Sequence, residues 1–183
     1  MSVVADKINK KRSKKGNAGK GKYDTSTIKV CNNSSGEDRS MNKKTAYYHL
    51  PGLFEFYELY RIFLPLFREH LEYFYDWCDI GSIYGAPPEC IWGGGRVSLE
   101  DHDAGEVLAL LQEYGISARL TFSNSLLRKE HLSDRKCNEL CALFAENATP
   151  ENGVIVHSEL LLQYLKSHYP ELYPISSTTK VLT

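Results

Sequence analysis

The chain has 183 residues, 42% apolar and 11% aromatic, enough for one domain with a real hydrophobic core. Its net charge of −1 conceals an asymmetry, because residues 1–44 hold 12 Lys/Arg against 4 Asp/Glu and residues 45–183 hold 10 against 19. Five irregularly spaced cysteines and no apolar stretch behind the N-terminal lysines argue against secretion and a disulfide framework and for a reducing cytoplasm, and no uncharged apolar run nears the roughly 20 residues of a membrane-spanning helix.

Residues 1–44 are rich in Lys, Ser, Asn and Gly and lack an aliphatic cluster, so they are expected to be a disordered basic tail. The run Lys10-Lys-Arg-Ser-Lys-Lys15 reads either as a solvated tail without a partner or as a weak contact with nucleic acid or another anionic surface. Met41, directly before Asn42-Lys-Lys-Thr-Ala-Tyr-Tyr-His-Leu-Pro-Gly52, offers an internal start just where ordered patterning begins.

The body, 45–183, opens with an aromatic segment, Leu53 to Trp77, whose apolar residues fall at helical spacing and are interrupted at Pro65; one kinked helix or two short ones are expected. Asp79 to Gly85 then reads as a short buried strand, and Ala86 to Arg96, with its prolines and Gly93-Gly94-Gly95, as a mobile loop. Ser98 is placed to cap a helix carrying Glu100, Asp101 and Asp103 in its first turn and Ala104, Val107, Leu108 and Leu111 on its buried stripe, stopped at Gly115. The pattern recurs twice. Ser117–Ser123 is strand-like and precedes a helix after Ser133 with Cys137, Leu140, Cys141 and Phe144 inward; Gly153–His157 is a β-branched strand followed by a Ser158-capped helix with Leu161, Tyr164, Leu165 and His168 inward. Leu172–Ser177 is the fourth strand. Alternating strands and helices predict an α/β fold with a parallel sheet, built either as the first half of a TIM-type (β/α) barrel or as a small open sheet.

The stretch Gly153 to Lys180, with its hydrophobic strand, leucine-rich helix, Pro170 and the Ser177-Thr178 pair, resembles the third and fourth strands of the collagenase-like peptidase family of TIM barrels. Gly81-Ser-Ile-Tyr84-Gly85, Gly95-Arg96 and Leu120-Thr-Phe-Ser-Asn124 resemble that family's first two strand ends, so the likeness covers roughly residues 79–180. It departs at His157-Ser158, where the family often carries an aspartate. The body is also similar to bacterial proteins that open on a Tyr-Tyr-His-Leu-Pro-Gly-type segment. The resemblance implies a peptidase-like or biopolymer-modifying enzyme, or the N-terminal part of one.

Ligands of parallel α/β folds sit at the carboxyl ends of the strands. That rule selects His157 and Asn124 as candidate catalytic groups, the first as acid or base, and Tyr84, Arg96, Ser177 and Thr178 as substrate contacts, Arg96 as a clamp for a carboxylate or phosphate. Each has a plainer reading: a turn former for Asn124, an ion pair for Arg96, a packed core residue for His157. Gly93–Gly95 lacks the lysine and hydroxyl of a phosphate-binding loop, Cys137 and Cys141 lie on an inward stripe with no further ligand spaced to join them, and the question of a cofactor stays open. The alternative is a non-catalytic interaction protein that binds a partner through the aromatic segment 53–77; a half-barrel would instead associate with further copies at the unpaired sheet edge beyond Ser177.

Overall fold

The computed structural model describes residues 45–95, 102–146 and 150–180, all within the larger of the chain's two compact units. The tail 1–44, Arg96, Ser98 and the internal start at Met41 lie outside the described residues. The elements run β1 (Ala46–Pro51), α1 (Tyr57–Glu69), β2 (Cys78–Gly85), α2 (Ala104–Glu113), β3 (Ser117–Phe122), α3 (Arg135–Glu146), β4 (Gly153–Val156), α4 (Glu159–His168) and β5 (Tyr173–Ser176).

All strands are parallel and their order in the sheet follows the chain, β1-β2-β3-β4-β5. Parallel neighbours are joined by right-handed crossovers. When the strand order never reverses, each crossover therefore delivers its helix to the same side, and among the described residues the opposite side of the sheet carries none. Strand alternation bears this out. Ala118, Leu120 and Phe122 of β3 and Val154 and Val156 of β4 are buried with Val107, Leu108 and Leu111 of α2, Phe144 of α3 and Leu161 and Leu165 of α4. The alternate residues Arg119, Thr121 and Ile155 are only half-buried.

Among the described residues five strands are present where the sequence suggested four. The additional one, Ala46-Tyr-Tyr-His-Leu-Pro51, is an edge strand with almost every side chain exposed, so it shows no apolar alternation. Its pairing shifts register between Tyr48 and His49, where Tyr48 faces Ile80 and His49 faces Ser82, leaving Gly81 as the extra residue of a bulge. A Cβ at Gly81 would lie 3.0 Å from both His49 Cε1 and Tyr47 Cβ, so glycine makes room for the imidazole there.

Of the two arrangements expected for the aromatic segment, it forms the single helix, 13 residues with Pro65 inside it, then a 3-10 turn at Leu71–Tyr73. Other local expectations are corrected. Helix α2 starts at Ala104, capped by Asp103, whose Oδ1 accepts from the N–H groups of Gly105 at 2.6 Å and Glu106 at 3.3 Å; a carboxylate fits both the orphan donors and the helix dipole. Ser158 does cap α4, accepting from Leu161 N–H. His168 is exposed and stacks on Tyr164 rather than pointing inward. The stretch before the glycines is packed, not loose: Trp92 is fully buried, donates from Nε1 to the His131 carbonyl at 2.7 Å, and meets Phe122 and Tyr164 edge to face. Cys90 and Cys137, both buried, form a disulfide between this stretch and α3, against the expectation of free thiols throughout. Among the described residues, no helix is long and apolar enough to cross a membrane.

Candidate functional site

The carboxyl ends of β4 and β5 bring two of the expected residues together through a third. His157 Nδ1 lies 2.9 Å from Thr179 Oγ1, and Thr179 Oγ1 lies 2.8 Å from Ser177 Oγ. The scaffold fixes this chain: His157 N–H donates to the Phe122 carbonyl, and Ser177 N–H to that of Val156. Ser177 is buried and also accepts from Thr179 N–H. His157 Nε2 has no partner among the described residues and remains available to a ligand. Thr179 carries the link, and its signal was the run of hydroxyls Ser176-Ser-Thr-Thr179, in which Thr178, exposed and facing water, was singled out instead.

The remaining strand-end residues have other tasks. Asn124 is committed to its own turn: Nδ2 donates to the Ile91 carbonyl at 2.8 Å, Oδ1 accepts from Leu126 N–H at 2.9 Å, and its N–H donates to the Trp92 carbonyl. This is the turn-forming role, and it anchors the 3-10 turn at Ile91–Gly93 together with a bond from Ser123 Oγ to the Gly93 carbonyl. Tyr84 stands on β2, between Pro51 of β1 and Arg119 of β3, on the helix-free side.

That side holds a polar group which the strand-end rule does not select. His49 Nδ1 is 2.7 Å from Ser82 Oγ, and Ser82 is fully buried. Arg119 is in register with Tyr84 on one side and Gly153 on the other. Its side chain lies over that glycine, where an added Cβ would come 3.5 Å from Arg119 Cγ and 2.8 Å from the Tyr173 carbonyl. Burial pulls the Arg119 pKa down, opposed by the Tyr173 phenol, and burial, then the Arg119 charge, lower that of His49, favouring neutral imidazole. One residue pair further along the strand, Thr121 Oγ1 is buried without a hydrogen-bond partner.

The chain matches no known family model, no curated protein and no solved structure. What it does is therefore argued from these residues. One surface hollow, about 450 Å³, lies between α1 and α2 beside Tyr57, Glu58, Arg61 and Glu106, away from the strand ends. A second, about 260 Å³, lies between α4 and β5 and is lined by Ser158, Lys166, Ile175, Ser176 and Lys180. Its lining includes Ser158 and Ser176, chain neighbours of His157 and Ser177, but none of His157, Ser177 and Thr179 themselves. Lys180 there is already paired with Glu159 at 2.8 Å. Cys137, bonded to Cys90, has no thiolate to offer a metal beside Cys141.

Proposed function

We propose that the chain acts on a polar substrate at the carboxyl ends of its parallel strands, as an enzyme or as the N-terminal half of a barrel enzyme. The observation that carries this reading is the hydrogen-bonded chain His157–Thr179–Ser177. With Nδ1–H donating to Thr179, Nε2 presents a lone pair to substrate or water and serves as general base. Two hydroxyls orient that ring but add no negative charge beside it. Tyr84 and Thr178 are the substrate contacts in this reading. The chain-following strand order, which a (β/α) barrel also uses, supports the half-barrel over a doubly wound sheet, whose order reverses. The collagenase-like resemblance makes peptide-bond cleavage the first reaction to test. The full chain is incubated with a degenerate peptide library and cleavage is followed by mass spectrometry. His157→Ala should slow it by about 10²- to 10⁴-fold. Thr179→Val should give a smaller loss and move the pH profile. An unchanged rate in His157→Ala would sink the acid–base role.

A second reading, partner binding through the aromatic segment, is favoured by one observation. Helix α1 buries Tyr60, Leu64 and Phe67 yet exposes Leu59, Ile62 and Leu66, so it is apolar on two sides, and Ile62 keeps 64% of its surface in water. Helices apolar all round are normally covered all round. Here the occupant proposed is a second copy of the chain. Concentration-dependent sedimentation that disappears in Ile62→Asp would support it, and a monomer at every concentration would exclude it.

A further inference from the structure

Every described arginine but one has a carboxylate within reach. Arg61 pairs with Glu58, Arg68 with Asp79, Arg128 with Glu130 and Arg135 with Glu139. Arg119 has neither an ion pair nor a hydrogen bond among the described residues, although it is half-buried in mid-strand while Arg128 and Arg135 are well exposed. A partly desolvated guanidinium is costly to leave uncompensated. Its neighbours on the same face are neutral: the imidazole of His49, the hydroxyls of Ser82 and Thr121, and the phenols of Tyr84 and Tyr173. Gly153 stands beside it in the register, where an added Cβ would be in ordinary contact with Arg119 Cγ at 3.5 Å.

We infer that Arg119 holds an oxyanion, a carboxylate or phosphate group of the ligand, on the helix-free face of the sheet, with His49 beside it as a hydrogen-bond donor. A guanidinium offers a planar fork that takes either group through two parallel N–H···O bonds. With Ser82 Oγ–H donating to Nδ1, His49 keeps its proton on Nε2 and directs it outward. Gly153 opens β4 and His157 follows its last residue, four positions on, so the two ends of the site stand roughly 13 Å apart, and the ligand is an extended one with its anionic end at Arg119. The inference deepens the proposed function by naming the ligand class, and rests on it for the claim that this face of the sheet meets ligand.

Calorimetric titration of the full chain with inorganic phosphate, and separately with succinate, at ionic strength fixed with sodium chloride, tests it. At least one should bind saturably. Arg119→Gln should weaken that binding at least tenfold, and Arg135→Gln, on an exposed arginine paired with Glu139, should leave it within about twofold. Binding of phosphate alone identifies a phosphate-bearing ligand, and of succinate alone a carboxylate. Should circular dichroism show that Arg119→Gln does not fold, Arg119→Lys, which keeps the charge and loses the fork, carries the test with a loss of several-fold. No saturable binding by the parent chain, or unaltered binding in the Arg119 variants, overturns the inference. The two proposals fail separately: unaltered peptide cleavage in His157→Ala, with saturable anion binding by the parent chain, would remove the acid–base role alone.

Discussion

Residues 154 to 156 show how one strand divides its work. Val154 and Val156 are buried against the helices, whereas Ile155 between them stands on the face without helices and is only half-buried. Composition alone would have made Ile155 the core residue of the three. The core penalty belongs instead to Leu120, fully buried one strand away: Leu120→Ala should cost about 2–5 kcal/mol in urea denaturation, and Ile155→Ala clearly less. Equal losses would put the helix-free face inside the core. Thr121 offers a test of opposite sign, because its buried hydroxyl has no partner and Thr121→Val removes an uncompensated polar atom at nearly constant volume. Stability should hold or rise by up to about 1 kcal/mol. Asn124→Ala strips two side-chain bonds to backbone and should cost about 1–3 kcal/mol.

At the scale of elements, α2, α3 and α4 were legible because a helix against a sheet must repeat its apolar residues every three or four positions. Strand β3 was legible too, but its message was read only in part. Ser117, Arg119 and Thr121 alternate with Ala118, Leu120 and Phe122, whereas strands of a parallel sheet covered on both sides are apolar on both. That alternation was the available sign that one face lacks helices, and with it the route to Arg119. Strand β1 gave no such sign, since an exposed edge strand ending in proline has no burial to impose a period. The pairing of Cys90 with Cys137 was equally hidden, because 47 residues of chain separate them and only the packing of Trp92 brings them together. A cross-link closing a loop of that size removes roughly 4 kcal/mol worth of unfolded-chain entropy. Denaturation with and without dithiothreitol should therefore differ by several kcal/mol. Coincident curves would mean that the bond contributes nothing.

For the whole molecule, three buried or half-buried groups share one pH response. Burial pushes the Cys141 thiol up to about 12. Burial, then the nearby Tyr84 and Glu55, raises Tyr60 to about 12, and burial, then Cys141 and Tyr164, raises Tyr169 to about 12. Each keeps its proton to higher pH when folded than when unfolded, so the stability it adds is complete below the unfolded values of about 9 and 10 and is lost as pH climbs towards 12. Melting temperature should be level near pH 8, begin to fall near pH 9 and fall steeply beyond 10. Tyr60→Phe should flatten part of the slope. A melting temperature that stays constant to pH 11 would contradict the assignment.

The order of strands in the sheet also governs how quickly the chain finds its shape. Since each strand pairs only with its predecessor and successor, every pairing closes a loop of one strand–helix unit and none must wait for distant parts of the chain. The shortest such loop joins Gly153 to Tyr173, shorter than those joining Arg119 to Gly153 or Ser82 to Ser117. Closure entropy rises with loop length, so the first stable contacts are expected around β4, α4 and β5, with growth back toward β1. Kinetic measurements on Leu161→Ala and Leu53→Ala should show the first slowing folding and the second chiefly hastening unfolding. The reverse partition would place the nucleus at the other end of the sheet.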